Sequence, residues 1–513
     1  MRSGFIFLIS YLKILLYMDT TIWILNPDYV FKNDTDRVCM FSKRNRSFDS
    51  TPDWIGYIHP HQAMILGMFC EPHPIREVIT MLSYHFSIPY EKMYSLIKDF
   101  MGNKTPVYTK WHGLQIGFPK NVLIQVNPEI KNVKYDFCTA DLKCTTVDLT
   151  QDRNHKAPHS ILWMLTNKCV TNCKYCYADR NTKYEPLSTE RILELINEFA
   201  DLKMGYVDII GGEVFLHKDW DIILKSLVEK NLSPTYISTK IPITLDIANR
   251  LKDTGFRNTI QFSLDSINER VLKDIIGVSS GYVDKIKRGI TYLEKLNIPI
   301  QIDTILTSKN CSIEEIDRLY AYVKSIKNIK IWEIRVPEFS LYSPESFNRI
   351  KATRSEIRMV QKYVKDKLQP TSKINILFSS EPLDEKFRSY GPKEDCFKGG
   401  SCGILQNRAF VLPDGKVSVC EQMYWHKDFI IGDLKTSSIE DIWNSERALQ
   451  LFGLANSMFR DESNCKHCFH FDECNSKKRR CVVKVVKAYG LSNWDYPDPR
   501  CEYAPEFNND LIY

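Results

Sequence analysis

Three cysteines stand within eight residues in 169-CVTNCKYC-176: Cys169, Cys173 and Cys176. Closely spaced thiolates ligate metal, yet a tetrahedral zinc site takes four protein ligands and a disulfide framework an even number of cysteines. Three thiolates suit a metal centre that keeps one position open for something else. A second concentration lies toward the C-terminus, where eight of the sixteen cysteines fall between Cys396 and Cys501. The other five are dispersed. Cys39, Cys70 and Cys311 read as small core residues, and 138-CTADLKC-144 as a candidate metal or redox pair on spacing alone.

The elements that must position these groups belong to a long chain. At 513 residues it exceeds one ordinary core, and several domains are expected. Hydrophobic content of 43% and charged content of 26% are those of a globular protein, and a net charge of +6 over this length does not announce nucleic acid. A secreted disulfide scaffold is usually short, so clustered C-x-x-C pairs here point to metal in a reducing cytoplasm. The opening MRSGFIFLISYLKILLY resembles a signal peptide, but Lys13 interrupts it and no small-residue cleavage site follows. It is also too short to span a bilayer. Residues 1–50 are therefore taken as an N-terminal segment, with Met18 as an alternative start.

Within that segment 22-IWILNPDYVF-31 reads as one strand. From Tyr57 the pattern turns helical: Ile75, Val78, Ile79, Leu82 and Met93, Leu96, Ile97, Phe100 recur at i, i+3, i+4, i+7, with a further helix over 60–69. Three short helices followed by strand-like 121-NVLIQV-126 suggest a winged-helix module over 51–130. Its third helix carries two Lys against Glu91 and Asp99, a poor charge pattern for reading DNA.

Over 155–345 the chain alternates strand-like and amphipathic stretches. Strands are expected at 160–165, 206–210, 235–239, 259–264, 299–306 and 330–336, with a helix at 188–203 whose face is Ile192, Leu195, Ile196 and Phe199. Six β-α units imply a parallel sheet curved into a partial barrel, with its site at the C-terminal strand ends. The fold class is α/β: a partial (β/α)6 TIM-like barrel, an N-terminal winged-helix-like domain and a C-terminal cysteine-rich domain over 396–513. A charged, helix-prone bridge over 346–395 joins the last two.

The cysteine triplet directly follows the first of these strands. C-x3-C-x2-C with Tyr175 before the third cysteine, on the first β-α loop, resembles the radical S-adenosylmethionine (SAM) superfamily. The resemblance implies that Cys169, Cys173 and Cys176 bind a 4Fe–4S cluster whose fourth iron chelates SAM. Electron transfer to the sulfonium then yields methionine and a 5′-deoxyadenosyl radical. It further implies that Gly211, Gly212 and Glu213, resembling the family's GGE motif, hold the SAM amino group. Ser238, Ser263 and Asp265 at later strand ends join Tyr175 as cofactor-binding residues. Alone, such triplets are turn chemistry. Where relatives place an arginine for the SAM carboxylate this chain has Ile275, with Lys273 and Arg270 as substitutes.

The tail resembles the SPASM extension of radical SAM peptide-modifying enzymes, which binds two auxiliary 4Fe–4S clusters. By position, one would use Cys396, Cys402, Cys420 and Cys481, the other Cys465, Cys468, Cys474 and Cys501. Cys481 lies seven residues after Cys474 rather than the family's four, the difference falling on 477-KKRR-480. That run reads as a solvated face, or as a dock for an acidic peptide. The alternative for 465–474 is a zinc knuckle using His467 or His470. Glu421 occupies the position of an Asp base in anaerobic sulfatase maturases and is the candidate catalytic residue, against a plain loop glutamate.

The resemblance implies a cytoplasmic oxidoreductase that matures a ribosomally synthesised peptide, forming a thioether or carbon–carbon crosslink. Its N-terminal module would resemble the pyrroloquinoline quinone chaperone and bind the leader of the precursor peptide. A reductase such as flavodoxin or ferredoxin is the expected second partner, with neither nucleic acid nor membrane involved. The alternatives are a sulfatase-type formylglycine maturase and a non-enzymatic metal-binding winged-helix regulator.

Overall fold

The computed structural model describes residues 21–43, 51–126, 135–137, 139–142, 145–379, 402–478 and 480–507. The N-terminal run through Met18, the Cys138/Cys144 pair, Cys396 and Arg479 lie outside them. The chain divides into two units, Met1–Ala157 and Pro158–Tyr513. No helix among the described residues is long and apolar enough to cross a membrane.

In the first unit the expected single strand at 22–31 is two. β1 (Ile22–Leu25) and β2 (Tyr29–Asn33) belong to different sheets. The intervening Asn-Pro-Asp makes an Asx turn, with Asn26 Oδ1 accepting from the Asp28 amide at 3.0 Å. β2 pairs antiparallel with β3 (Val38–Ser42), and β3 with β4 (Ile55–Ile58). β1 lies between β5 (His73–Pro74) and β8 (Leu123–Gln125). β6 (Val107–Trp111) and β7 (Leu114–Phe118) form a hairpin closed by His112 and Gly113, both at positive φ (46° and 84°), as the tight hairpin turn demands. Helices Pro60–Gly67, Ile75–Phe86 and Tyr90–Ile97 stand where the apolar periodicity put them. Tyr29, Phe31, Val38 and Met40 share one core with Leu66, Val78, Ile79, Met93 and Ile97.

The second unit is built on one ten-stranded sheet in the order β15-β14-β13-β12-β11-β10-β9-β16-β17-β18. β9 (Ser160–Thr166), β10 (Tyr206–Gly211), β11 (Tyr236–Thr239), β12 (Thr259–Ser263), β13 (Ile300–Ile305) and β14 (Ile329–Arg335) are the six expected strands, parallel and in chain order. β9 is buried along its whole length, as a central parallel strand covered on both faces must be. The helix after it, Thr189–Asp201, is capped by Ser188, whose side chain accepts from the Arg191 amide, and buries Ile192, Leu195, Ile196 and Phe199.

Two features extend this barrel. The bridge holds a seventh parallel strand, β15 (Asn375–Ser379), paired with β14. On the other side β16 (Arg408–Val411) pairs parallel with β9, and β17 (Lys416–Ser418) and β18 (Ile430–Asp433) follow antiparallel. The cysteine-rich region therefore shares the barrel's sheet, which fixes Cys420 just beyond the end of β17.

Candidate active site

A cavity of about 490 Å³ opens at the C-terminal ends of the parallel strands. Cys169, Cys173 and Cys176 line it, carried by the loop after β9. That loop is pinned by a helix end: Asn172 and Lys174 amides donate to the carbonyls of Ile276 (2.9 Å) and Ile275 (3.0 Å). Gly277 ends that helix at φ +72°, a left-handed cap that glycine adopts without strain. Ser340 fixes the third cysteine by donating to the Cys176 carbonyl at 2.7 Å. Ile275 thus anchors the loop through its backbone, and neither Arg270 nor Lys273 is among the described residues that line the cavity.

Thr171 Oγ1 lies 3.2 Å from Cys169 Sγ and 3.4 Å from Cys173 Sγ, so one hydroxyl serves both sulfurs. Burial pushes the Cys173 thiol up to about 11, opposed by the Lys240 ammonium. Among the described residues, no three His, Cys, Asp or Glu side chains converge as tightly as a single metal ion demands. The three thiols share one wall instead, and Cys169 and Cys173 share the Thr171 hydroxyl. Three soft, half-buried sulfur donors on one wall fit an iron–sulfur cluster, which takes thiolate ligands.

The GGE triplet occupies the neighbouring strand end. A Cβ on Gly212 would sit 2.3 Å from the Lys168 carbonyl oxygen and 2.6 Å from that of Asn167. The glycine is therefore required by the backbone that enters the cysteine loop. Glu213 is buried; its carboxylate accepts from Thr239 Oγ1 and from the Lys240 amide, each at 3.0 Å. Burial raises its pKa to about 7 against those hydrogen bonds. Because the folded state holds that proton more tightly than the unfolded chain, its stabilisation is complete below about pH 4.5 and is lost as pH rises through about 7. Glu213→Gln, neutral throughout, is expected to match the ligand-free parent in urea midpoint near pH 4. At pH 8 it should exceed the parent by on the order of 3 kcal/mol. An unchanged difference between the two pH values would mean that Glu213 is not protonated by burial.

Ser238 and Ser263 line the cavity, as do Gly211, Gly212, Glu213 and Tyr175. Asp265 stands behind that wall. Its Oδ1 accepts from the Ile305 amide at 3.0 Å, and its Oδ2 from the Tyr175 hydroxyl and, at 3.3 Å, from Lys240 Nζ. Lys240 also donates to Tyr175 Oη at 2.7 Å and to the Ser263 carbonyl at 3.3 Å, which uses all three of its hydrogens. Burial works to lower its pKa, but Asp265 and the nearby thiols outweigh it and hold Lys240 charged. Lys240 escaped the sequence reading, although it directly follows Thr239 at a strand end where site residues are expected.

The far wall belongs to the cysteine-rich region. Glu421 and Tyr424 line it with Tyr177, Arg335 and Glu338. Burial raises the Glu421 pKa, opposed by Arg408 and Arg335. Lys487, on the helix Val482–Tyr489 that begins after Cys481, also reaches the cavity and holds Glu338 at 2.6 Å. The cavity thus joins the three-cysteine loop to groups adjoining Cys420 and Cys481.

Of the first auxiliary set, Cys402 hydrogen-bonds Cys481, which lowers the pKa of the Cys481 sulfur while that of Cys402 rises. Cys420 is close enough to act on both. In the second set, Asn464, next to Cys465, donates to the Tyr503 carbonyl at 2.8 Å and so brings the Cys501 segment to the 465–474 loop. Burial raises Cys465 to about 11, with Arg480 the main opposing charge. Paired thiols of this kind fit thiolate-ligated clusters as well.

This fold and these cysteine sets define a radical SAM enzyme with an iron–sulfur extension. The Radical SAM superfamily model matches residues 163–323, and the SPASM model, an iron–sulfur cluster-binding domain, matches residues 402–469. The chain thus carries a radical SAM domain over 163–323 and a SPASM domain over 402–469. It is 22% identical over 361 residues to a mycofactocin maturase of Mycobacterium tuberculosis, covering 68% of this chain and 84% of that one. It is 23% identical over 367 residues to an AdoMet-dependent heme synthase of Methanosarcina barkeri, covering 68% and 97%. Among solved structures, Streptococcus suis SuiB bound to its precursor peptide SuiA superposes with a TM-score of 0.61 at 14% identity, covering 94% of this chain and all of that one.

Proposed function

We propose that this enzyme installs a thioether or carbon–carbon crosslink in a ribosomally synthesised peptide. The observation that carries the reading is the single cavity that touches both the three-cysteine loop and the residue after Cys420. A substrate held there meets the radical source on one side and an auxiliary centre on the other. The mycofactocin maturase and the peptide-bound SuiB structure support a peptide as the substrate.

In this reading Cys169, Cys173 and Cys176 hold a 4Fe–4S cluster, with SAM against Gly211, Gly212, Glu213, Ser238 and Ser263. Bound SAM supplies the 5′-deoxyadenosyl radical. Tyr175 and Asp265 act by fixing the loop. Glu213 offers a carboxylate to the SAM ammonium, which would neutralise the charge that burial disfavours. Two auxiliary clusters use Cys396, Cys402, Cys420, Cys481 and Cys465, Cys468, Cys474, Cys501, fed or drained by a flavodoxin or ferredoxin. The first unit binds the leader as an added strand on a sheet edge and raises the core peptide's effective concentration. Neither nucleic acid nor membrane takes part, and the enzyme works in the cytoplasm.

Glu421 accepts the proton released as the substrate radical is oxidised, a role its raised pKa suits. Glu421→Gln is therefore expected to make 5′-deoxyadenosine at the parent rate while crosslinked product falls by about 10²–10⁴-fold. A variant with unchanged product would make Glu421 a bystander. The decisive experiment is anaerobic co-expression with a short open reading frame neighbouring the gene, read by tandem mass spectrometry. Loss of two hydrogens localised to a linked pair of residues is the expected result. Formylglycine at a single Cys or Ser would identify a sulfatase-type maturase instead. Unmodified peptide from iron-loaded, SAM-cleaving protein would remove the leader-binding role of the first unit.

A further inference from the structure

The 477-KKRR-480 run was expected to be a solvated face, and the fold turns part of it inward. Lys477 pairs at the surface with Glu473 at 2.6 Å. Lys478 and Arg480 instead face a small cavity of about 70 Å³ that is also lined by Cys402, Cys465 and Cys474. The insertion that lengthens the Cys474–Cys481 spacing thus delivers two cations between the two auxiliary cysteine sets.

Their hydrogen-bonding states differ. Lys478 Nζ donates to the Phe452 carbonyl and lies 4.0 Å from that residue's ring centroid. Arg480 is clamped at one nitrogen, Nε donating to the Tyr496 carbonyl at 2.9 Å. Its guanidinium stands 5.2 Å and 6.0 Å from the ring centroids of Phe459 and Trp494. Nη1 and Nη2 are buried and have no partner among the described residues. A buried, unmet donor destabilises the fold, the more so where it is charged. A fork held this firmly, with its outer donors unmet, is built for an acceptor that belongs beside it. The reactive groups sharing its cavity are sulfurs.

We infer that Arg480 donates N–H···S hydrogen bonds to the iron–sulfur cluster held by Cys465, Cys468, Cys474 and Cys501, and so raises that cluster's reduction potential. This rests on the auxiliary-cluster reading above. The physical basis is direct. Donors to cluster sulfurs and a nearby positive charge favour the more negative, reduced state, and a low local dielectric enlarges both effects. Arg suits the task because its fork is planar, permanently charged and weakly hydrated. Two of the four second-set cysteines line the cavity, against Cys402 alone of the first set.

The test uses the full-length chain, anaerobically reconstituted, with Cys169, Cys173 and Cys176 replaced by Ala so that the auxiliary signals stand alone. Iron is counted, and the clusters are titrated by EPR in the parent, Arg480→Gln and Arg480→Lys. With iron unchanged, one component in the Gln variant should show at least a tenfold lower reduced-to-oxidised ratio at fixed potential, equivalent to about 59 mV for one electron. The other component should stay put, and the Lys variant should shift less. Full iron with both components unmoved, or moved upward, would overturn the role of Arg480 and leave the clusters standing. If the Gln variant does not assemble, a Lys variant at the parent's potential would equally overturn it. A parent holding less iron than two four-iron clusters would bring down the cluster assignment itself.

Discussion

Replacing Cys173 with Ala is expected to abolish reductive cleavage of SAM, down to the rate of protein-free dithionite controls. Cys173 is the middle member of the triplet and shares Thr171 with Cys169. The loop that carries it is held by backbone bonds to Ile275 and Ile276 and by Ser340 at Cys176, none of which involves the Cys173 side chain. The substitution therefore removes a ligand without removing the loop's anchors, and the urea midpoint should stay near the parent's. Iron should fall by one cluster's share while the auxiliary signals persist, because Cys402, Cys420, Cys481 and the 465–501 set lie on other elements. The readouts are 5′-deoxyadenosine by liquid chromatography, iron by colorimetry and the unfolding midpoint. Cys70→Ala, a half-buried cysteine packed against the core of the first unit, is the control that should leave 5′-deoxyadenosine and iron unchanged. Cleavage surviving in Cys173→Ala would move the SAM cluster away from this loop.

Much of this site is legible in the sequence because its chemistry is local. β9, buried along its whole length, is a continuous apolar run, β13 and β14 alternate apolar with polar residues, and the helix at 189–201 announces its face through Ile192, Leu195, Ile196 and Phe199. Cysteine spacing survives in one dimension, since neighbouring ligands come from one loop. The contributions that were missed come from distant segments. Lys240, Arg335, Glu338 and Lys487 meet only once the sheet has formed, and no spacing rule links them. β15 was hidden in a charged stretch, where pairing with β14 outweighs composition. The Asn26–Asp28 turn and the His112–Gly113 hairpin did carry signals in their residues, and the apolar run across 22–31 masked the first. Arg480 misleads for a different reason. A run of four basic residues reads as a surface, but aromatic rings and a buried carbonyl can desolvate one member while its neighbour stays in water.

The same logic makes Lys240 the most consequential residue that spacing could not find. Its side chain is 12% exposed and that of Asp265 is fully buried, so the two form an ion pair within the fold, with the Tyr175 hydroxyl between them. Lys240→Met leaves Asp265 buried without its counter-charge, and breaking such a pair costs about 3–5 kcal/mol. The loss should not stop at stability. Tyr175 sits between Cys173 and Cys176, so loosening its hydroxyl frees the loop that presents the thiols. The Met variant should therefore lose the SAM-binding cluster's share of iron on reconstitution. Adding Asp265→Asn removes the stranded charge, keeps Oδ1 as the acceptor for the Ile305 amide and turns the other position into an N–H donor to the Tyr175 oxygen. The double variant should recover most of the lost stability, a coupling of several kcal/mol in a double-mutant cycle of unfolding midpoints, together with part of the iron. Strictly additive effects would show that Lys240 and Asp265 act independently, and that the cysteine loop takes its order from the Ile275, Ile276 and Ser340 backbone contacts alone.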